Sequence, residues 1–65
     1  MISKEDALNI LKEMDEIEQK MKRNYIDLES KVKDPKLKEA FSSLADDEDR
    51  HSRLVNELEK LLQTQ

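Results

Sequence analysis

Three ionisable residues, Glu18, Glu48 and His51, occupy positions where a regular apolar stripe would normally carry leucine or isoleucine. Carboxylate oxygens and an imidazole nitrogen are ligands that proteins offer to divalent metal ions. Their burial costs free energy unless something compensates for the lost hydration. These three residues are therefore the first candidates for chemistry in this sequence.

The apolar stripe runs through both halves of the chain. Its sixteen positions alternate between steps of four and three residues, which is the spacing of a helical seam. Thirteen of them are apolar or aromatic, although the chain is 43% charged and only 35% hydrophobic. The pattern therefore does not arise from composition. The positions are Ala7, Leu11, Met14, Glu18, Met21, Tyr25, Leu28 and Val32, then Leu37, Phe41, Leu44, Glu48, His51, Val55, Leu58 and Leu62.

Length and cysteine count exclude several kinds of site. A chain of 65 residues forms one small domain at most, and it buries too small a fraction of its surface to be comfortably stable without a metal, a cross-link or a partner. The absence of cysteine excludes disulfides, thiolate zinc sites and cysteine nucleophiles. Because His51 is the single histidine, a site with two imidazoles requires two chains.

The charge and hydropathy of the chain argue against binding to nucleic acid and against a membrane-spanning segment. The net charge is −4, and lysine and arginine are scattered among acids, whereas phosphate binding depends on a clustered basic surface. No stretch approaches the roughly 20 apolar residues of a membrane span, and the first residues do not resemble a signal peptide. We therefore expect a soluble, cytoplasmic protein that binds neither nucleic acid nor membrane.

The single proline indicates how the helices are connected. Asp34 is a favoured N-cap and Pro35 suits the first helical position, so a second helix begins soon after the first one ends. Ser3 and Asp6 resemble a capping box in which Asp replaces the usual Glu. The sequence predicts an all-α antiparallel hairpin, a single domain over residues 1–65, with helices at about 4–32 and 35–62 and a turn at about 33–35.

Each predicted helix has an apolar face wider than one seam, as expected when a helix touches two neighbours. A lone hairpin would expose much of this face, so two hairpins should pair into an antiparallel four-helix bundle. Ile26 falls outside the face and should be exposed. The face is widened by Ile10, Ile17, Ala40, Leu54 and Leu61 on one side and by Leu8 and Ala45 on the other.

The turn also fixes which residues lie at the same height. If Val32 and Leu37 bracket it, residues whose numbers add up to about 69 are level, which places Glu18 beside His51. Glu48 precedes His51 by three residues, so both side chains project from the same side of their helix. The sequence therefore predicts that all three ionisable residues occupy one layer.

A two-fold dimer would place two copies of this layer together, with four carboxylates and two imidazoles. Four buried carboxylates would cost several kcal/mol each in desolvation, and they would repel one another. Two divalent cations would cancel the four negative charges. One nitrogen and several oxygens per ion suit iron or manganese better than structural zinc.

Three longer segments resemble a known family. Residues 18–25 (EQKMKRNY), 37–41 (LKEAF) and 44–51 (LADDEDRH) look like the first half of a rubrerythrin or a related ferritin-like di-iron carboxylate protein. The resemblance covers residues from about 7 to about 62. It implies that Glu18 is a terminal ligand, that Glu48 bridges two irons and that His51 supplies a nitrogen. Two iron ions per dimer are expected, with manganese as the alternative.

The resemblance differs in one respect from the usual family pattern. That family usually carries both halves of the bundle on one chain, whereas this chain carries one half. In this respect the chain resembles the encapsulated ferritins, in which a two-helix unit completes its metal site across a dimer interface. The expected partner is therefore a second copy of the chain, and further assembly of the dimers stays open.

The resemblance implies ferroxidase activity or reduction of hydrogen peroxide or O2. Rubrerythrins usually add a four-cysteine iron domain that supplies electrons. Without cysteine, this chain would need an external electron donor, or its reaction would stop at iron oxidation. The sequence leaves open whether the chain is an enzyme.

Tyr25 and Asp47 are candidates for hydrogen bonds to the metal ligands, with Asp47 orienting the imidazole.

Simpler interpretations exist for each of these residues. Glu18 and Glu48 could reach water from the edge of the seam, and His51 could be a hydrogen-bonded core residue. Tyr25 could belong to the core, and Asp47 could belong to a solvated face.

Two other functions follow from these simpler interpretations. One is a noncatalytic dimerisation or interaction module whose polar layer sets the register, and the other is divalent-metal binding without redox chemistry.

Overall fold

The computed structural model describes residues 2–64, which form two α-helices, α1 (Lys4–Lys31) and α2 (Pro35–Gln63). The helices are antiparallel and make a rod of 48 × 15 × 15 Å. The predicted all-α hairpin is confirmed. Compared with the predicted bounds, α1 ends one residue earlier and α2 ends one residue later.

Both helices begin at the caps that the sequence predicts. The Ser3 hydroxyl accepts a hydrogen bond from the backbone N–H of Asp6 at 3.0 Å. The Asp34 carboxylate accepts one from the backbone N–H of Lys36 at 2.8 Å. Each cap satisfies a donor that has no partner inside the helix. The caps therefore fix where each helix starts, and the short turn fixes how the two helices align.

Hydrogen bonds between the helices confirm the predicted register. That register places Ser52 level with Ile17. The two residues that bond to Ser52 are Asp15 and Gln19, two positions before and after Ile17, at 2.5 and 2.8 Å. The alignment of α1 and α2 is therefore the one that the turn predicts.

The two helices contact each other along a line of residues, here called the seam. This line does not follow the centre of the predicted stripe. It keeps alternate positions of the stripe and takes its other members from the side that carries Leu8 and Ala45. All of the seam residues are buried or half-buried. They are Leu8, Leu11, Asp15, Glu18, Lys22, Tyr25, Glu29 and Val32 on α1 and its end, and Phe41, Ala45, Glu48, Ser52, Val55, Glu59 and Leu62 on α2.

The remaining members of the stripe stay exposed in the hairpin, apart from the half-buried Ala7. Met14 and Met21, for example, are 45% and 38% exposed. The physical reason is that small or polar residues, such as Ala45 and Ser52, allow the helices to approach along the neighbouring line. The apolar side chains are left pointing away from the seam.

These side chains form an outer apolar face, which the helical period places on one side of the hairpin. Among residues 2–64, the buried hydrophobic residues are only Ala45 and Val55. Ile26 is exposed and lies off this face, as predicted. The outer apolar face consists of Ile10, Met14, Ile17, Met21 and Leu28 on α1, and of Leu37, Leu44, Leu54, Leu58 and Leu61 on α2. Even so, neither helix within the described part of the chain is apolar enough to cross a membrane.

Candidate metal centre

Glu18 on α1 and Glu48 and His51 on α2 converge at one place on the hairpin. One ligand atom from each side chain, a carboxylate oxygen or a ring nitrogen, lies within 4.8 Å of the others. His51 Nδ1 lies 4.0 Å from Glu48 Oε2, a separation set by three residues of one helix. The structure therefore brings together the three residues that the sequence placed in one layer.

The two carboxylates are partly withdrawn from water. Glu48 is only 8% exposed, and Glu18 is half-buried. Within residues 2–64, the Oε2 atoms of both are buried and accept no hydrogen bond. A buried oxygen without a partner loses its hydration and gains nothing in return. A cation between the helices would satisfy both atoms, so the donor set fits a divalent metal ion.

His51 completes the group from a more open position. Its side chain is 59% exposed and lies beside the outer apolar face. A groove of about 270 Å³ runs past it, lined by Glu18 and His51 together with Leu11, Met14, Leu54, Val55 and Leu58. The three candidate ligand side chains thus lie at the border between the helix seam and the outer apolar face. A second hairpin laid on that face would add its own carboxylates and imidazole to the same layer.

The two candidates for supporting roles, Tyr25 and Asp47, are both half-buried. Tyr25 is half-buried on α1, seven residues beyond Glu18. The Asp47 carboxylate forms an ion pair with Arg50 on its own helix. Hydrogen bonds from Tyr25 and Asp47 to the metal ligands therefore stay predictions.

A polar contact joins the helices next to the candidate ligands, and the sequence pattern did not predict it. The Ser52 hydroxyl bonds to both Asp15 and Gln19, and Ser52 is buried. A signal for this contact was present in the sequence. Ala45 and Ser52 are small residues seven positions apart on α2, which is the spacing of a close approach between helices. The apolar stripe instead predicts contact along the neighbouring line of residues.

Comparison with known proteins supplies one match. The family model described as Rubrerythrin matches residues 2–62, which is nearly the whole chain and includes all three candidate ligands. No curated protein and no solved structure matches the chain.

Proposed function

The chain belongs to the rubrerythrin family, and we propose that it is a di-iron ferritin-like protein whose metal site is completed between two copies of the hairpin. The family implies iron binding. The observation that carries the proposal for this chain is the pair of unbonded buried oxygens, Glu18 Oε2 and Glu48 Oε2, with the His51 ring beside them.

The number of ligands supports a site shared by two chains. One hairpin offers two carboxylates and one imidazole in this layer. Two hairpins related by a two-fold axis offer four carboxylates and two imidazoles, which is the ligand set of ferritin-like di-metal proteins. Two divalent ions would neutralise the four carboxylates. Glu18 and Glu48 would hold the ions by oxygen and His51 by nitrogen, with manganese as the alternative metal.

The exposed surface also supports a dimer. A compact monomer of 7.7 kDa is expected to expose roughly 4,300 Å², whereas this hairpin exposes 5253 Å². The difference, roughly 950 Å², is close to the ~800 Å² that each partner loses in a standard interface. Ten large apolar side chains on one side of the hairpin are the natural surface to be covered. A second copy would cover them and close the groove beside His51.

We further propose that the site reduces O2 or hydrogen peroxide, or oxidises iron as a ferroxidase. A bound iron pair would supply two electrons to the oxidant. The chain's own contribution is to hold the ions by flexible carboxylates and to surround them with apolar side chains, such as Leu54 and Leu58, that limit access of water. Repeated reduction of the oxidant would draw electrons from an external donor, because the chain contains no cysteine for a four-cysteine iron site. Without such a donor, the reaction would stop at iron oxidation.

The test loads the chain with Fe(II) under anaerobic conditions and then adds O2 or hydrogen peroxide in a stopped-flow instrument. We expect faster formation of Fe(III) than in buffer, and loss of that acceleration in Glu48→Ala. Glu57→Ala, which removes an exposed carboxylate from the same helix, is the control. Iron that binds but is oxidised no faster than in buffer would instead support redox-silent metal binding. A dimer unaffected by chelator would support a noncatalytic module.

A further inference from the structure

We propose that Ser52, together with Asp15 and Gln19, positions the candidate metal ligands. Their hydrogen bonds hold α1 and α2 in one register at the height of those ligands. This inference rests on the proposed function, because the three residues act through Glu18, Glu48 and His51 and touch no metal themselves. Their role is to fix the relative placement of ligands that come from different helices.

The contact uses both hydrogen-bonding capacities of one buried hydroxyl. Ser52 is 8% exposed. Its Oγ donates to Asp15 Oδ1 at 2.5 Å and accepts from Gln19 Nε2 at 2.8 Å. A serine hydroxyl has one hydrogen to donate, so the two bonds define its orientation. Both partners lie on α1, one on each side of the level of Ser52, so the Ser52 side chain is bonded in both directions along the helix axis.

Each end of this contact is joined through the backbone to a metal ligand. Ser52 directly follows His51 and lies one turn after Glu48, while Gln19 directly follows Glu18 and Asp15 precedes it by one turn. If α2 slid by one turn along α1, both hydrogen bonds would break. The same slide would carry Glu48 and His51 away from Glu18. The network and the ligand layer therefore share one register.

The neighbouring contacts do not fix the register in the same way. Ala45 and Val55, the buried apolar residues around the layer, make non-directional contacts that tolerate small shifts. The ion pair between Lys22 and Asp49, at 2.6 Å, has side chains that are 31% and 36% exposed, where solvent weakens it. Ser52 is thus the buried, directional contact between the helices at this height.

The first experiment titrates anaerobic protein with Co(II) and records the d–d absorption bands, which report the geometry of the ligands around the ion. Wild-type protein should bind Co(II), and Glu48→Ala should not. Ser52→Ala should lower the affinity at least tenfold and change the shape of the bands. Lys38→Met is the matched control, since it removes a hydrogen bond between the helices at 2.9 Å to the Glu29 carbonyl, far from the layer.

A purely structural role for Ser52 would give a different result. Melting in chelator measures the stability lost in Ser52→Ala and in Lys38→Met. We expect both variants to be destabilised, but we expect Lys38→Met to keep its Co(II) affinity within twofold and its bands unchanged. If Ser52→Ala binds Co(II) with wild-type affinity and bands, the inference is overturned while the proposed function stands. If wild-type protein binds no Co(II) or Fe(II), the proposed function fails and the inference fails with it.

A second variant covers the case in which Ser52→Ala does not fold in chelator, as judged by circular dichroism. Gln19→Met removes the donor to Ser52 from a half-buried position and leaves the bond from Ser52 to Asp15 in place. We expect it to fold and to bind Co(II) at least threefold more weakly than wild-type protein. Wild-type affinity in Gln19→Met would overturn the inference.

Discussion

Glu18 Oε2 and Glu48 Oε2 lie on opposite helices, and both are buried without a hydrogen-bond partner among residues 2–64. Unpaired buried oxygens are uncommon in folded proteins, because each costs about 1–3 kcal/mol in lost hydration. Two such oxygens lie close to an imidazole here, since one ligand atom from each of the three side chains lies within 4.8 Å of the others. That cost is the physical basis of the first prediction.

Neutral replacements should stabilise the metal-free protein. In Glu18→Gln combined with Glu48→Gln, the layer loses two charges and keeps its volume, so we expect the free energy of unfolding in chelator to rise by ~1–3 kcal/mol. Thermal denaturation followed by circular dichroism measures the change. Glu16→Gln combined with Glu57→Gln is the control, because both carboxylates are exposed. If Glu18→Gln combined with Glu48→Gln melts at a lower temperature than wild-type protein in chelator, the prediction is refuted.

Removal of His51 should separate metal binding from folding. Its side chain is 59% exposed, so His51→Ala should change the free energy of unfolding in chelator by no more than ~0.5 kcal/mol. Loss of the nitrogen ligand should nevertheless weaken Fe(II) binding at least tenfold, measured by competition with a chelator of known affinity. Unchanged Fe(II) affinity in His51→Ala would show that the imidazole is not a ligand.

The outer apolar face should be the dimer interface. Ile10 and Ile26 are the same residue type and are both 48% exposed, but Ile10 lies on this face and Ile26 lies off it. Symmetry places each substitution in the interface twice, so Ile10→Lys should weaken dimerisation at least tenfold. Sedimentation equilibrium over a range of concentrations measures the effect. Ile26→Lys should dimerise like wild-type protein, and equal behaviour of the two variants would assign the interface to another surface.

Metal and chain concentration should both raise the melting temperature. A ligand that binds only the folded state stabilises it by ~2.7 kcal/mol at 100 times its dissociation constant. We therefore expect Fe(II) added anaerobically to raise the melting temperature of wild-type protein but not that of Glu48→Ala. In chelator, the melting temperature should still increase with protein concentration. A melting temperature that is independent of concentration would indicate a hairpin that folds alone.

The sequence was sufficient to predict the hairpin, its caps and its register. Ser3 and Asp34 are N-caps whose side-chain oxygens satisfy free backbone donors, and this preference is local. The register followed from the short turn, and the bonds of Ser52 to Asp15 and Gln19 agree with it. Because register alone decides which side chains are level, the grouping of the three candidate ligands could also be predicted.

The sequence was not sufficient to assign each apolar residue to a neighbour. A period of 3.5 residues identifies a face, but Met14 and Leu11 belong to the same stripe and have different environments in the hairpin. Which of them faces the other helix depends on where small side chains, such as Ala45 and Ser52, allow close approach. That is a property of two helices packed together, so the stripe alone does not predict the contacts of Asp15 and Gln19 with Ser52.

The most direct test of the shared metal site is native mass spectrometry of protein loaded anaerobically with Fe(II) and transferred without chelator. The shared site predicts a dimer that carries two irons in the wild-type protein, and the same dimer without iron in Glu48→Ala. Iron bound to single hairpins, or a wild-type dimer that carries no iron, would contradict it.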